Sequence, residues 1–171
     1  MPDYKEYLLE AINLARSASQ RDDHPCGTVI VDTEGQVLSA SGNKVFSTPD
    51  VTAHAEMLCL RAGSNVLLDK NTPGKYILFS SLEPCCGCAF YIARTNIKKV
   101  VYAATDSYKP GISMLKADPE FQNYFKDIEL IAEPFTELRD DALILMRDFF
   151  IKKGKPDTAK FYEPISINRI I

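Results

Sequence analysis

Two short segments constrain the fold of this chain more than any other feature of its sequence. The first, residues 54–56, reads HAE, and the second, residues 83–88, reads EPCCGC. Each segment is predicted to lie where a loop enters a helix, a position at which the helix dipole favours thiolates. Cysteines three residues apart on a first helical turn point to one side. Two thiolates, from Cys85 and Cys88, and the imidazole of His54 are typical zinc ligands, so a shared site requires the fold to bring both segments together.

The predicted ligand set has three members, which indicates a catalytic site rather than a structural one. Structural zinc sites usually close with four protein ligands, whereas catalytic sites keep a position for water. The only other histidine is His24, outside both segments. Zinc lowers the pKa of a bound water from about 15.7 to about 7. Glu56, two residues after His54, is placed to take the proton of that water and pass it to a leaving group, first as general base and then as general acid.

Composition narrows the class of protein and of partner. With 46% hydrophobic and 25% charged residues, the 171-residue chain has the proportions of a globular domain and not of a disordered segment. It shows neither an apolar run of about 18 residues, as a membrane helix needs, nor a signal-peptide pattern. We therefore expect a cytoplasmic protein with no membrane partner. The net charge of −3 favours a small substrate over a nucleic-acid backbone, and an odd count of five cysteines argues against a disulfide framework.

Hydrophobic periodicity predicts an α/β protein. The predicted helices cover 4–18, with Asp3 as N-cap, and approximately 54–63, 86–95 and 136–152. The predicted strands are 28–32, 36–41, 76–80, 100–103 and 128–132, with a hairpin turn at 33–35. Because strands alternate with helices, we expect a layered fold whose later strands are parallel. We divide the chain into a single domain, 1–153, and a C-terminal tail, 154–171, which shows no periodicity.

Together the two segments match the pattern H-x-E…P-C-x-x-C of zinc-dependent nucleobase deaminases. The sequence resembles the cytidine/deoxycytidylate deaminase superfamily from about residue 25 to 105, and it is most similar to the branch that holds guanine deaminases and tRNA adenosine deaminases. The stretches that carry this similarity are 50–56 (DVTAHAE), 82–85 (LEPC) and 97–102 (IKKVVY). The resemblance implies a three-layer α-β-α sandwich with a five-stranded mixed sheet. It also implies zinc at two helix N-termini, a long helical crossover between 104 and 127, and a homodimer.

The resemblance also implies a set of substrate-binding residues. Asn43 matches the asparagine that hydrogen-bonds the base or sugar of the substrate in this superfamily, and Asp106 matches an acidic position near the substrate entrance. Backbone near Ala53 and Ser81 is expected to line the pocket. Two of these residues have simpler explanations, since Asn43 could hold a turn and Asp106 could cap a helix.

Departures from the two nearest branches bear on the substrate. Residues 105–113 read TDSYKPGIS, where the tRNA deaminases carry an arginine and a regular glycine pattern. Arg94 stands where guanine deaminases carry an aromatic residue, and the 154–171 tail is longer than theirs. The arginine loss and the acidic composition favour a small heterocycle over a tRNA.

The predicted activity is that of a zinc-dependent hydrolase acting on C–N bonds of cyclic amidines. Zinc-bound hydroxide attacks the ring carbon and removes the exocyclic amine of a small nucleobase, nucleoside or related heterocycle, while Glu56 carries the proton. The alternative enzyme is a tRNA-specific adenosine deaminase, converting adenosine to inosine, which would need a basic rim around its pocket. Two further interpretations stay open: a catalytically silent scaffold subunit stabilised by zinc, and a redox dithiol formed by Cys85 and Cys88.

Overall fold

The sheet occupies the centre of the molecule. The computed structural model describes residues 2–69, 71 and 74–164. The strands in this part of the chain are β1 (Gly27–Asp32), β2 (Val37–Gly42), β3 (Tyr76–Leu82), β4 (Ile97–Ala104) and β5 (Glu129–Ala132). They form one sheet in the order β2–β1–β3–β4–β5. β1 pairs antiparallel with β2 and β3, whereas β3, β4 and β5 are parallel, which confirms the predicted five-stranded mixed sheet.

Helices cover both faces of this sheet. They are α1 (Tyr4–Gln20), α2 (Ala55–Ala62), α3 (Ser64–Leu67), α4 (Cys86–Ile92), α5 (Ile112–Ala117), α6 (Gln122–Phe125), α7 (Thr136–Lys152) and α8 (Pro156–Ala159), with a 3₁₀ turn at Lys160–Tyr162. Alternate residues of β1 point to opposite faces: Val29 and Val31 join a core with α1 and α7, and Ile30 joins a second core with the helices from α2 to α6. The three-layer α-β-α sandwich is confirmed.

Local sequence accounts for most of these elements. In α1 the buried side chains are Leu8, Ala11, Ile12, Ala15 and Ala18, a spacing that places them on one helical face. The Asp3 side chain accepts a hydrogen bond from the Lys5 backbone N–H at 2.9 Å, so the predicted N-cap is confirmed. The predicted hairpin turn between β1 and β2 is also confirmed: Gly35 adopts a φ of +93°, which a glycine tolerates without strain.

The crossover from β4 to β5 is helical, as expected, but its helix is interrupted. It contains two short helices, α5 and α6, separated by residues 118–121. Asp118 ends α5 in an extended conformation, with ψ at 127°. Pro119 follows it, and a proline disfavours the helical conformation in the residue before it, which explains the break.

The segment 156–162, which follows α7, packs on the same core as α1 and α7. Pro156 occupies the first turn of α8, a position that suits its fixed φ, and Ala159 and Tyr162 are buried against α7. Residues 165–171 of the tail lie outside the described residues, and the boundary at residue 153 stays a prediction. Within the described residues, no helix has both the length and the apolar character needed to cross a membrane.

Candidate metal centre and substrate cavity

The three predicted ligands lie at the N-termini of two helices. His54 is the N-cap of α2, Cys85 is the N-cap of α4, and Cys88 lies in the first turn of α4. Both caps have extended backbone conformations, and neither side chain makes a capping hydrogen bond. The imidazole and the thiols are therefore available to a shared ligand, in contact with helix ends that favour negative charge.

The distances among these side chains fit a zinc ion. His54 Nδ1 lies 3.7 Å from Cys85 Sγ and 3.6 Å from Cys88 Sγ, and the three ligand atoms all lie within 4.8 Å of one another. A tetrahedral ion with bonds of about 2.3 Å to sulfur and about 2.05 Å to nitrogen separates two such ligands by about 3.6 Å. Among the described residues, this is the one group of three or more His, Cys, Asp or Glu side chains close enough to hold a metal.

The two thiols differ in their affinity for a proton. A hydrogen bond from the Cys88 thiol, reinforced by His54, lowers the pKa of Cys85 to about 4. The same hydrogen bond and burial raise the pKa of Cys88. The pair therefore holds one proton between its two sulfurs, and a metal that binds both thiolates must displace that proton.

Glu56 lies on the first turn of α2, beside this cluster. Its side chain is buried, with 6% exposed, and burial raises its pKa to about 7. The negative charge of Cys85 raises the pKa in the same direction, while hydrogen bonds from the Glu56 backbone and Cys88 oppose it. A carboxyl group that gains and loses a proton near neutral pH is suited to proton transfer.

A cavity of about 280 Å³ opens beside these groups. From the first half of the chain it is lined by His24, Cys26, Asn43, Val45, His54 and Glu56. The segment 82–85 and the loop after β4 contribute six more lining residues: Leu82, Glu83, Cys85, Asp106, Tyr108 and Lys109. The C-terminal helices contribute Met146, Phe150 and Tyr162. Ligand cavities typically occupy about 300–1,000 Å³, so this one is sized for a single small ring system.

The family model of the cytidine and deoxycytidylate deaminase zinc-binding region matches residues 1–104, which contain both ligand segments. The chain belongs to this family. As a member of the family it is a zinc-dependent deaminase, that is, a hydrolase acting on C–N bonds, and the His54, Cys85 and Cys88 cluster fits the family's metal.

The chain is also similar to individual deaminases. It is 38% identical over 106 residues to a tRNA-specific adenosine deaminase of Agrobacterium fabrum, covering 62% of this chain and 68% of the relative. A structure from studies of A-to-I editing by tRNA:A34 deaminases has a TM-score of 0.64 and 30% identity, covering 75% of this chain and 97% of its own. The guanine deaminase of Bacillus subtilis has a TM-score of 0.54 and 31% identity, covering 61% and 66%.

The predicted substrate-binding residues of the deaminase divide into two pairs. Asn43 and Asp106 line the cavity, and both are buried. Ala53 and Ser81 are buried but are not among its lining residues: the Ala53 carbonyl accepts a hydrogen bond from the Lys44 N–H, and the Ser81 hydroxyl accepts one from the Gly27 N–H. The roles of all four residues in substrate binding stay predictions.

Several residues that the sequence analysis did not assign to the site contribute to the cavity. The most notable is Tyr162, whose hydroxyl donates to Asp106 Oδ1 at 2.8 Å and whose ring stacks on Phe150 with centroids 5.6 Å apart. Burial raises the pKa of both Asp106 and Tyr162. Because 56 residues separate these hydrogen-bond partners, no local pattern in the sequence could have paired them.

Proposed function

We propose that this deaminase acts on a small nucleobase-like heterocycle, with zinc held by His54, Cys85 and Cys88 and with Glu56 as the catalytic proton carrier. One observation carries the proposal: a buried carboxylate lies beside a three-ligand cluster at a cavity of about 280 Å³. The free cysteines support a reducing compartment such as the cytoplasm, where thiols persist.

The reaction exchanges an exocyclic amine for an oxygen, with water as the second substrate and ammonia as the second product. A zinc ion bound to the cluster would lower the pKa of water and so supply a nucleophile at neutral pH. Glu56 would accept one proton from the attacking water and donate it to the departing amine, so that its carboxylate would be regenerated after each turnover. Burial of Glu56 keeps bulk water away from this proton transfer.

Two buried polar side chains are placed to orient the ring. The Asn43 side chain accepts a hydrogen bond from the Val45 N–H at 3.0 Å through Oδ1, which orients its amide group so that the NH₂ can donate to a ring acceptor. Asp106 is held by hydrogen bonds from the Tyr108 and Lys109 N–H groups, both at 3.0 Å to Oδ1. Its carboxylate is suited to accept from an N–H group of the substrate.

The character of the cavity supports a small substrate. Phe150 and Tyr162, from the C-terminal helices, form part of its lining. Three buried carboxylates, Glu56, Glu83 and Asp106, face the same space. A phosphodiester backbone is attracted to basic surfaces, so a cavity lined by three carboxylates suits a neutral heterocycle better.

A tRNA adenosine is the second candidate substrate. It is favoured by the 38% identity to a tRNA-specific adenosine deaminase and by the likeness to the tRNA:A34 deaminase structure. A flipped adenosine would have to enter the same cavity, and its flanking phosphates would require basic side chains at the rim. Lys109, which is exposed and lines the cavity, is one basic side chain of this kind.

An apolar face beside the metal cluster supports assembly as a homodimer. Val51, Leu68 and Tyr91 are exposed by 82%, 61% and 56%. Two grooves share Met57 and Tyr91 as lining residues: one also includes Leu60 and Leu68, and the other includes Val51. Contiguous exposed apolar surface of this kind is typical of protein interfaces, and we propose that a second copy of this chain covers it.

The test is a survey of ammonia release by the zinc-loaded protein. The substrates are guanine, adenine, cytosine, their nucleosides, dCMP and a tRNA anticodon stem-loop, with Glu56→Ala in parallel. The proposal predicts release from at least one free heterocycle, abolished in the variant. Release from the stem-loop alone would contradict the small-substrate proposal and support the second candidate. Release that persists in Glu56→Ala would contradict the catalytic role of Glu56.

A further inference from the structure

We propose that Glu83 is a positioning residue that fixes the 105–113 loop, and with it Asp106, against the segment carrying Cys85. This inference rests on the proposed role of Asp106 in substrate binding. Glu83 lies between the end of β3 and Cys85, and only 3% of it is exposed. Its backbone N–H donates to the Ala104 carbonyl at 2.8 Å, so the segment before the ligands is paired with the end of β4.

The Glu83 carboxylate binds both ends of the loop that follows β4. Oε2 accepts from the Asp106 N–H at 3.3 Å, and Oε1 accepts from the Gly111 and Ser113 N–H groups, each at 3.0 Å. The Ser113 hydroxyl also donates to Oε1. A buried carboxylate is tolerated only when such donors replace its water. Although Glu83 lines the cavity, its carboxylate oxygens accept hydrogen bonds from the loop. They are therefore not free to carry a proton as those of Glu56 would.

Gly111 shows how closely the loop approaches the ligand segment. A Cβ atom at this position would lie 2.0 Å from the Pro84 carbonyl oxygen and 2.6 Å from Cys85 Cα. The next residue, Ile112, donates its N–H to the same Pro84 oxygen at 2.9 Å. The loop and the ligand segment are therefore in direct backbone contact, and Glu83 supplies the side-chain bonds that hold this contact in register.

The consequence for substrate binding follows from the position of Asp106. Its N–H is bound by Glu83 and its carboxylate by the loop and Tyr162. Because Glu83 is two residues from Cys85, one short segment fixes both the metal ligand and the carboxylate that would bind the ring. Small displacements of a binding group relative to the reacting centre are costly, so loss of Glu83 should weaken substrate binding without removing zinc.

The test compares Glu83→Gln with Glu133→Gln. Glu133 accepts from the Thr105 N–H at 2.9 Å at the start of the same loop, but it follows β5 and is more exposed, at 30%, which makes it a matched control. For Glu83→Gln we expect KM to rise by about tenfold or more, because Oε2, which accepts from the Asp106 N–H, becomes an NH₂ donor and Oε1 loses its charge, with kcat within about threefold and zinc content unchanged. The control should change KM by less than about twofold.

A double-mutant cycle with Asp106→Asn separates this inference from the proposed function. If Glu83 acts through Asp106, adding Glu83→Gln to Asp106→Asn should raise KM by less than about threefold further. An Asp106→Asn variant with an unchanged KM would contradict the substrate role of Asp106. Provided that Asp106→Asn raises KM, three results would overturn the positioning role of Glu83. They are an unchanged KM in Glu83→Gln, fully additive effects of the two substitutions on KM, and loss of zinc from Glu83→Gln.

Amide hydrogen exchange tests the same role without any substrate. The Asp106 amide, whose acceptor Oε2 becomes an NH₂ group, should lose protection in Glu83→Gln. The Gly111 and Ser113 amides, whose acceptor Oε1 loses its charge, should lose part of theirs. All three should keep their protection in Glu133→Gln, while the zinc content of both variants matches that of the parent. Should Glu83→Gln not fold, Ser113→Ala removes only the hydroxyl donor and is expected to change protection at residue 111 in the same direction. Unchanged protection in the folded variants would contradict the inference.

Discussion

Two regions that border the cavity are built in different ways. The ligand region, comprising His54, Glu56, Cys85 and Cys88, is formed by the N-termini of α2 and α4. The C-terminal region, comprising the 105–113 loop, α7 and the segment 156–162, consists of elements that follow β4 in the chain. The first region presents thiolate, imidazole and carboxylate groups, and the second presents Asp106 among the aromatic rings of Tyr108, Phe150 and Tyr162.

This difference indicates that the two regions have different functions within one site. Side chains at helix N-termini are held by backbone hydrogen bonds close to the cap, which gives the fixed geometry that metal binding requires. The C-terminal region depends on long-range hydrogen bonds such as Tyr162 to Asp106, and none of its side chains is one of the three ligands. We therefore expect changes in the ligand region to abolish the chemistry and changes in the C-terminal region to alter substrate affinity.

The largest expected effect is the loss of zinc from Cys85→Ala, compared with Cys86→Ala. Cys85 supplies one of the three ligand atoms, whereas Cys86 Sγ lies 3.7 Å from the Pro110 carbonyl, outside the cluster. Metal analysis should find about one zinc per chain in Cys86→Ala and almost none in Cys85→Ala. Equal zinc content in the two variants would remove Cys85 from the ligand set.

A second comparison concerns Gly111→Ala and Gly87→Ala, and its readout is the free energy of unfolding. The added methyl at residue 111 would overlap the Pro84 oxygen at 2.0 Å, while at residue 87 its nearest neighbour would be Cys85 Sγ at 4.0 Å. We expect Gly111→Ala to lose about 1–3 kcal/mol in denaturant unfolding. Gly87→Ala, inside α4, should be neutral or slightly stabilising. Equal stabilities would show that the loop does not pack against the ligand segment as described.

Tyr162→Phe should produce a smaller effect, confined to substrate affinity. The change removes one hydrogen bond to Asp106 and keeps the stacking on Phe150, so KM should rise by roughly three- to tenfold while kcat changes little. Tyr124→Phe is the control, because Tyr124 is 56% exposed and does not line the cavity. Steady-state kinetics on the substrate found in the survey gives both parameters, and a fall in kcat at unchanged KM would place Tyr162 in the chemical step.

The smallest expected effect is a pH dependence of stability that arises from His24. Burial lowers the pKa of His24 below its ordinary value of 6.5. The unfolded chain therefore binds this proton first, and the contribution of His24 makes the protein less stable as the pH falls through 6.5, with no penalty above that pH. Denaturant unfolding at several pH values should show this loss in the parent and a reduced loss in His24→Asn. A parent and variant with parallel pH profiles would contradict the lowered pKa.

Most of the fold follows from local patterns in the sequence. The stripe that includes Leu8, Ala11 and Ala15 predicts α1, and the short apolar runs predict the five strands, each within a few residues of its observed bounds. The ligand region is likewise predictable, because metal-ligand spacing on a first helical turn is a local property. His54 and Cys85 are 31 residues apart, and only the combined motif connects them.

What the sequence does not predict depends on contacts between distant residues. Glu83 binds groups 23 to 30 residues away, and nothing in its immediate neighbours indicates which loop its carboxylate will hold. The same is true of Tyr162, in a segment without periodicity. The break in the β4–β5 crossover, by contrast, has a local cause in Pro119 that periodicity alone does not reveal.

The most direct measurement of the central claim is the rate of ammonia release by zinc-loaded Glu56→Gln, with zinc content determined on the same sample. Glu56 is beside the cluster but is not one of its three ligands. The account predicts zinc equal to that of the parent and a rate lower by about 10²–10⁴-fold, the range expected for loss of a general acid–base group. A zinc-loaded variant that releases ammonia within a few-fold of the parent rate would contradict it.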